Sequence, residues 1–179
     1  MAIKYDYLSY DPLITATEVI SLAFTNQNTD TTLISTNLIQ MAELAHLKLP
    51  LGDDFYLYLK ETFDGVGTGT TEDDDLMANW LKPMFAWFVR FEVINEIQDN
   101  STSSGIVSAI PEFSKVVTPK ELNVYKQDTY RRGNVMLKAM IDFLDENYSY
   151  FPDYKNTNDS VDCKGVGNSV SKQHGMIIY

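Results

Sequence analysis

Two histidines, His46 and His174, and one cysteine, Cys163, are the side chains in this 179-residue sequence best suited to act as general base, nucleophile or transition-metal ligand near neutral pH. Their separations match no recognised zinc spacing, so they predict no metal centre. The run Asp73-Asp74-Asp75 offers carboxylates for a divalent cation. Neighbours at a helix start point in different directions, however, and no calcium-loop spacing accompanies them, so the run reads as an exposed helix N-terminus. "GVGNSVSKQHG", residues 165–175, has glycines and a lysine but no Gly-Lys-Ser/Thr ending, and it reads as a flexible arm, not a phosphate loop. No Ser/His/acid grouping can be assembled, and Glu43 and Glu61 read as solvated positions on helix faces. The expectation is a protein without catalytic residues, without a metal and without a cofactor.

Charge narrows the partners. With 14 basic residues against 25 acidic ones the formal charge is −11, and the one local basic cluster is Tyr130-Arg131-Arg132. Phosphate contacts from lysine and arginine supply most nucleic-acid affinity, so sequence-specific DNA or RNA binding is not expected. The acidity has two readings: plain solubility, or a surface past which a polyanion slides without sticking. No apolar run is long enough to span a bilayer, and "MAIKYDYLSYDP" lacks a signal-peptide core, so a soluble chain without membrane contact is expected. A single cysteine excludes an intrachain disulfide.

The elements that would position these residues are helical. "TATE", Thr15–Glu18, is a capping box ahead of Val19, Ile20, Leu22, Ala23 and Phe24. A second helix is expected from about Asp30, with Ile34, Leu38, Met41, Ala42, Ala45 and Leu49 near helical spacing. Pro50 and Gly52 should end it at a corner, with Asp53 capping a short third helix that carries Phe55, Tyr56, Leu59 and Phe63. A flexible acidic loop, 64–75, should follow.

Glu72 to Asp99 is the strongest helical segment, about 40 Å long if continuous, with Pro83 placed to bend or divide it. Between Trp80 and Phe91 the only charged residues are Lys82 and Arg90, which with Ala86 fall along one narrow strip, and so apolar a circumference predicts a central helix covered on several sides. Its expected core is Trp80, Leu81, Met84, Phe85, Phe88 and Phe91, packed on Leu38, Ala42, Ala45 and a later helical stripe. "IVSAIPEFSKVV" suits an extended loop or short hairpin. "TPKE", Thr118–Glu121, opens that later helix, which should run to about Tyr148 and bury Leu122, Tyr125, Thr129, Gly133, Met136 or Leu137, Met140 and Leu144. Gly133 on this stripe implies close approach of another helix. The fold class expected is all-α: a helical bundle around a long central helix over residues 1–154, then an extended C-terminal arm, 155–179. The arm ends in Met176, Ile177, Ile178 and Tyr179, apolar residues that gain stability only when covered, so an assembly arm docking on an adjacent subunit or another protein of the assembly is expected, the alternative being an arm folded back on its own domain.

"ITATEVISLAF", "LISTNLIQMAELAHLKLPLGDDFYLYL", "LKPMFAWFVRFEVINEI" with "NSTSSGIV", and "RRGNVMLKAMIDFLDENYSYFPDY" together resemble the small helical connector, or ring, proteins in the neck of tailed bacteriophages, particularly those of crAss-like phages. The resemblance covers roughly residues 14–154 and consists of ordered helix motifs, not a catalytic signature. It implies a structural virion protein that forms a ring with copies of itself, usually a dodecamer. Such a ring contacts the portal protein and other neck or tail ring proteins, joins head to tail and continues the DNA channel, through which DNA passes without sequence-specific binding. The implied location is the virion neck, and the host cytoplasm during assembly. The alternative reading of the same helices is a monomeric adaptor or regulatory module that binds one protein partner.

Overall fold

The computed structural model describes residues 7–24, 31–65, 67–98, 101–102, 105–106 and 119–155. The fold is all-α. Helix α1 spans Ala16–Ala23, α2 Thr36–His46, α3 Lys48–Leu51, α4 Asp53–Phe63 and α5 Thr71–Asp75; a π-helical turn, Leu76–Leu81, leads into α6, Lys82–Gln98, and α7 spans Pro119–Glu146. Two residue pairs, Ser101–Thr102 and Gly105–Ile106, form an antiparallel bridge after α6, so the hairpin precedes most of the β-branched stretch expected to supply it. Residues 107–118, including the Thr118 cap, and the arm from 156 onward, with Cys163, His174 and Met176 to Tyr179, lie outside the described residues.

Helix α6 is the centre of the bundle, as its apolar circumference requires. Leu81, Met84, Phe85, Ala86, Phe88, Val89 and Val93 are buried, and α7, α1 and α2 pack around it. Trp80 and Phe91 are only half-buried and sit at the margins of that core. The 28-residue α7 runs antiparallel to α6, since Phe88 meets Gly133 while Trp80 stacks on Phe143 at 4.8 Å. A Cβ on Gly133 would lie 3.1 Å from the Phe88 ring, which is the close approach its place on the stripe implies. Thr129, Leu137, Met140 and Leu144 are buried on the same side, whereas Tyr125 stays 45 % exposed because it lies near the N-terminal end of the helix.

Pro83, the second residue of α6, does not interrupt the helical stretch. It follows a π-helical turn in which the Lys82 N–H bonds to the Met77 carbonyl, and this wider spacing relieves the clash a proline makes with the carbonyl four residues earlier. The Lys82–Ala86–Arg90 strip faces α1. Lys82 pairs with Glu18 at 2.6 Å, near the start of α1, and Arg90 donates to the Ala23 carbonyl at its end. Arg90 thus complements the carbonyl end of α1, while at the N-terminal end the complementary charge is Glu18, which Lys82 holds in place. The Thr15–Glu18 capping box forms as expected.

Several expectations for the first half are corrected. The second helix begins at Thr36, capped by the Ser35 hydroxyl; Ile39 and Ala42 are its buried apolar positions, and Ile34 is buried just before it. Met41, Ala45 and Leu49 face solvent instead of the core, because the buried stripe is rotated toward Ile39 and Glu43. Pro50 sits within the first turn of α3, where its missing N–H is not needed. Gly52, at φ 78°, makes the bend between α3 and α4. Gly52 is also the cap of α4; Asp53 is the first helical residue, not the cap, and with Asp54 complements the helix N-terminus. Phe55, Tyr56 and Leu59 are buried, while Phe63 at the end of α4 is exposed. The acidic stretch is ordered from Thr70, whose hydroxyl and Asp73 form a second capping box.

Candidate functional site

One cluster of polar groups that the fold buries lies at the junction of α2, α4 and the segment leading into α1. Glu43 and Lys60, expected on solvated faces in the case of Glu43, are both 1 % exposed and form an ion pair of 2.9 Å. The Tyr56 hydroxyl donates to Glu43 Oε2 at 3.0 Å, and the Leu13 N–H donates to Glu43 Oε1 at 2.5 Å. Lys60 also donates to the Asp11 carbonyl. Around this knot, Gln40 donates to the Tyr10 carbonyl, the Tyr10 hydroxyl donates to Glu61 and the Asp11 N–H donates to Asp64. Both charges are spent on each other and on backbone groups, so the cluster clasps residues 10–13 against α2 and α4 and presents no free acid or base. Burial, with the neighbouring Glu43 carboxylate, holds the Tyr56 hydroxyl well above its ordinary range.

A second buried acid joins α4 to α5. Asp73, expected at an exposed helix start, is 1 % exposed and accepts from the Tyr58 hydroxyl at 2.6 Å and from the Thr70 N–H at 2.8 Å. Burial and the Asp73 hydrogen bond push Tyr58 up to about 12. Asp74 and Asp75 remain exposed. Among the described residues no three histidine, cysteine or carboxylate side chains are grouped to hold a metal ion. His46 is held at the α2–α6–α7 junction, its Nε2 2.8 Å from Glu92 and its ring stacked 4.5 Å from Phe88.

Between the clasp and the start of α6 lies a cleft of about 380 Å³, lined chiefly by Asp11, Leu13, Glu18, Phe63, Met77 and Lys82. Its lysine is tied to Glu18. Burial raises the Glu18 carboxyl, but hydrogen bonds from Lys82 and Thr15 and the Lys82 charge outweigh it, so Glu18 lies below the ordinary carboxylate value and stays ionised. The cleft can therefore bind a side chain or small group but shows no poised nucleophile.

The remaining candidates are surfaces. Met41 and Leu49, 63 % and 65 % exposed, share one outward face of α2 and α3 with Ala45. On α7, Val124 and Val135 are exposed at 60 % and 62 % and alternate with Arg131 and Lys138 along an outward stripe. Beside it, Arg90 is covered by the rings of Phe24, Trp87 and Tyr125, and Arg132 also lies over the Trp87 ring, 5.1 Å from its centroid. Burial and the nearby Arg132 charge lower the Arg90 pKa from its usual value.

A family model described as a family of unknown function (DUF6712) matches residues 47–164, which takes in the Gly52 bend, α4 to α7 and both long helices. The chain belongs to the DUF6712 family. No curated protein and no solved structure matches it. Within this DUF6712 chain the matched region holds Lys60, Asp73, the α6–α7 contact and the α7 stripe, while Glu43 and the clasped segment precede it. No helix among the described residues is long and apolar enough to cross a membrane.

Proposed function

We propose that this DUF6712 protein is a structural component of a phage neck that forms a ring with copies of itself, docks on portal protein and adjoining neck or tail rings, and continues the DNA channel. The observation that carries the reading is the pair of exposed apolar faces, Met41 with Leu49 and Val124 with Val135, on different helices of a bundle whose buried Glu43, Lys60 and Tyr56 are paired with one another. A ring subunit that closes on its neighbours and also docks on portal protein or an adjoining ring needs more than one contact surface, and these faces offer that. The sequence resemblance to neck ring proteins supports the same assignment. In this reading the C-terminal arm, ending in Met176 to Tyr179, ties neighbours together, and part of the −11 charge lines the channel and repels the DNA backbone within roughly one Debye length, about 8 Å at physiological salt.

Light scattering on the full chain, alone and mixed with portal protein, tests the ring. A mass of many copies, in either sample, is the expected result, and a single copy in both supports a monomeric helical adaptor instead. Deleting residues 170–179 should preserve the helical circular-dichroism signal while weakening assembly. Unchanged assembly of the truncated chain would remove the arm from the mechanism.

A further inference from the structure

The described surface separates its charges by sign. From Glu61 to Leu81 the acids that reach the surface are Glu61, Asp64, Glu72, Asp74 and Asp75, Asp73 being buried, and no lysine or arginine intervenes. The first two-thirds of α7 carry instead Lys120, Lys126, Arg131, Arg132 and Lys138 against Glu121 and Asp128. Asp128 bonds both Arg131, at 2.6 Å, and Arg132, at 2.8 Å, and so offsets one of the two guanidiniums.

The fold keeps the two regions apart. Phe88 meets Gly133 and Trp80 meets Phe143, so Arg131 lies level with about the third turn of α6, whereas α5 precedes α6 at the far end of the same helical stretch. Counting at 1.5 Å per residue, Asp74 and Arg131 are separated by roughly 25 Å along the axis. That is about three Debye lengths at physiological salt, so neither region neutralises the other within one copy.

Both regions also carry exposed apolar surface. Val124 and Val135 share the outward α7 stripe with Arg131 and Lys138, and Phe63 lies exposed at the acidic end, where it lines the 380 Å³ cleft. Charge mixed with exposed valine on one helix face that no other element among the described residues covers suits a protein contact, in which opposite potentials set register and suppress wrong partners.

We infer that the outward stripe of α7, Val124 to Lys138, docks on the acidic end of a second copy, around Phe63, Asp64, Glu72 and Asp74. The inference rests on the ring reading and deepens it, because a contact between two different surfaces of the same chain is the head-to-tail kind that closes into a ring. It also explains how a chain of charge −11 associates with itself: the local pairing is attractive although the whole molecules repel.

Two charge-reversed forms of the full chain test it, one with Glu72→Lys and Asp74→Lys, the other with Arg131→Glu and Lys138→Glu. Both sets of positions are exposed, and circular dichroism with a thermal melt verifies that each form is folded. Sedimentation velocity, with and without portal protein, should show each form alone self-associating about tenfold or more weakly than the unmodified chain, the change that roughly 1.4 kcal/mol produces. An equimolar mixture should recover assembly, since every junction then joins opposite charges. Rising salt should weaken assembly of the unmodified chain, a readout that needs no substitution. Wild-type-like assembly of either form alone, a mixture that stays dissociated, or salt-independent assembly overturns the pairing and leaves the ring standing. A wild-type chain that is monomeric in both settings overturns the ring and the pairing together. Duplex DNA retarded by the chain and released by Arg131→Glu with Lys138→Glu, while self-association is unchanged, would make the stripe a nucleic-acid surface and overturn the inference.

Discussion

Where α6 crosses α7 the buried atoms are almost all carbon: the Phe88 ring lies on Gly133, and Leu137, Met140 and Leu144 continue the contact. Where residues 10–13 cross α2 and α4 the buried atoms include a carboxylate, an ammonium and a phenol, each within hydrogen-bond reach of another or of the backbone. The first contact can be repacked by degrees, because dispersion and transfer energies fall off gradually with lost volume. The second is closer to all-or-none. Desolvating two charges costs several kcal/mol and is offset only while every partner is present. Stability in this molecule thus has a tolerant apolar half and an intolerant polar half, and the polar half fixes where the chain enters the bundle.

The sharpest way to break the comparison is Glu43→Ala. It leaves Lys60 buried against a carbonyl alone and strips the acceptor from the Tyr56 hydroxyl and the Leu13 N–H. Urea unfolding should show a loss at the upper end of about 3–5 kcal/mol. Glu43→Leu combined with Lys60→Met should recover much of that loss, because the uncompensated charge is gone. A single substitution costing under about 1 kcal/mol would mean the clasp is not closed in solution.

Phe88→Ala comes next, at about 3–4 kcal/mol, toward the low end for phenylalanine truncation because His46 and Tyr130 border the space and can lean into it. Gly133→Val should cost about 1–3 kcal/mol by overpacking against the Phe88 ring. Combining the two should cost less than their sum, since alanine at 88 makes room at 133, and strict additivity would show that the two residues do not touch.

The smallest effect is a pH window. Tyr58 is raised to about 12 by burial and by its bond to Asp73, above its usual value of 10. The unfolded chain therefore loses this proton first as pH rises. The contribution to stability is complete below about pH 10 and is lost as pH climbs through about 12, which melts recorded across that window should show. Asp73→Asn should move the ultraviolet titration of Tyr58 back toward the ordinary value, and an unmoved titration would separate Tyr58 from Asp73.

The apolar half was legible in the sequence because its signals are local and periodic. An apolar circumference marked α6 as central, Gly133 on the α7 stripe marked a close crossing, and Thr15 with Glu18 marked the start of α1. The polar half was not, because Glu43 finds Tyr56, Lys60 and Leu13 at separations of 13 to 30 residues, and a glutamate on an amphipathic helix looks the same whether its partner is water or a distant lysine. Asp73 did leave a usable signal. Thr70 stands three residues before it in the capping-box arrangement, and the glycine-rich surroundings obscured that pattern. The exposure of Met41 and Leu49 follows from the same cause: once Glu43 is drawn inward by Lys60, α2 turns its other apolar residues to the surface, where they become candidate assembly contacts.

Ring assembly is tested most directly by electron microscopy of the full chain bound to portal protein. Closed rings of this chain, coaxial with the portal and with an open central channel, are the predicted result. Particles in which single copies decorate the portal without closing on one another would contradict ring assembly.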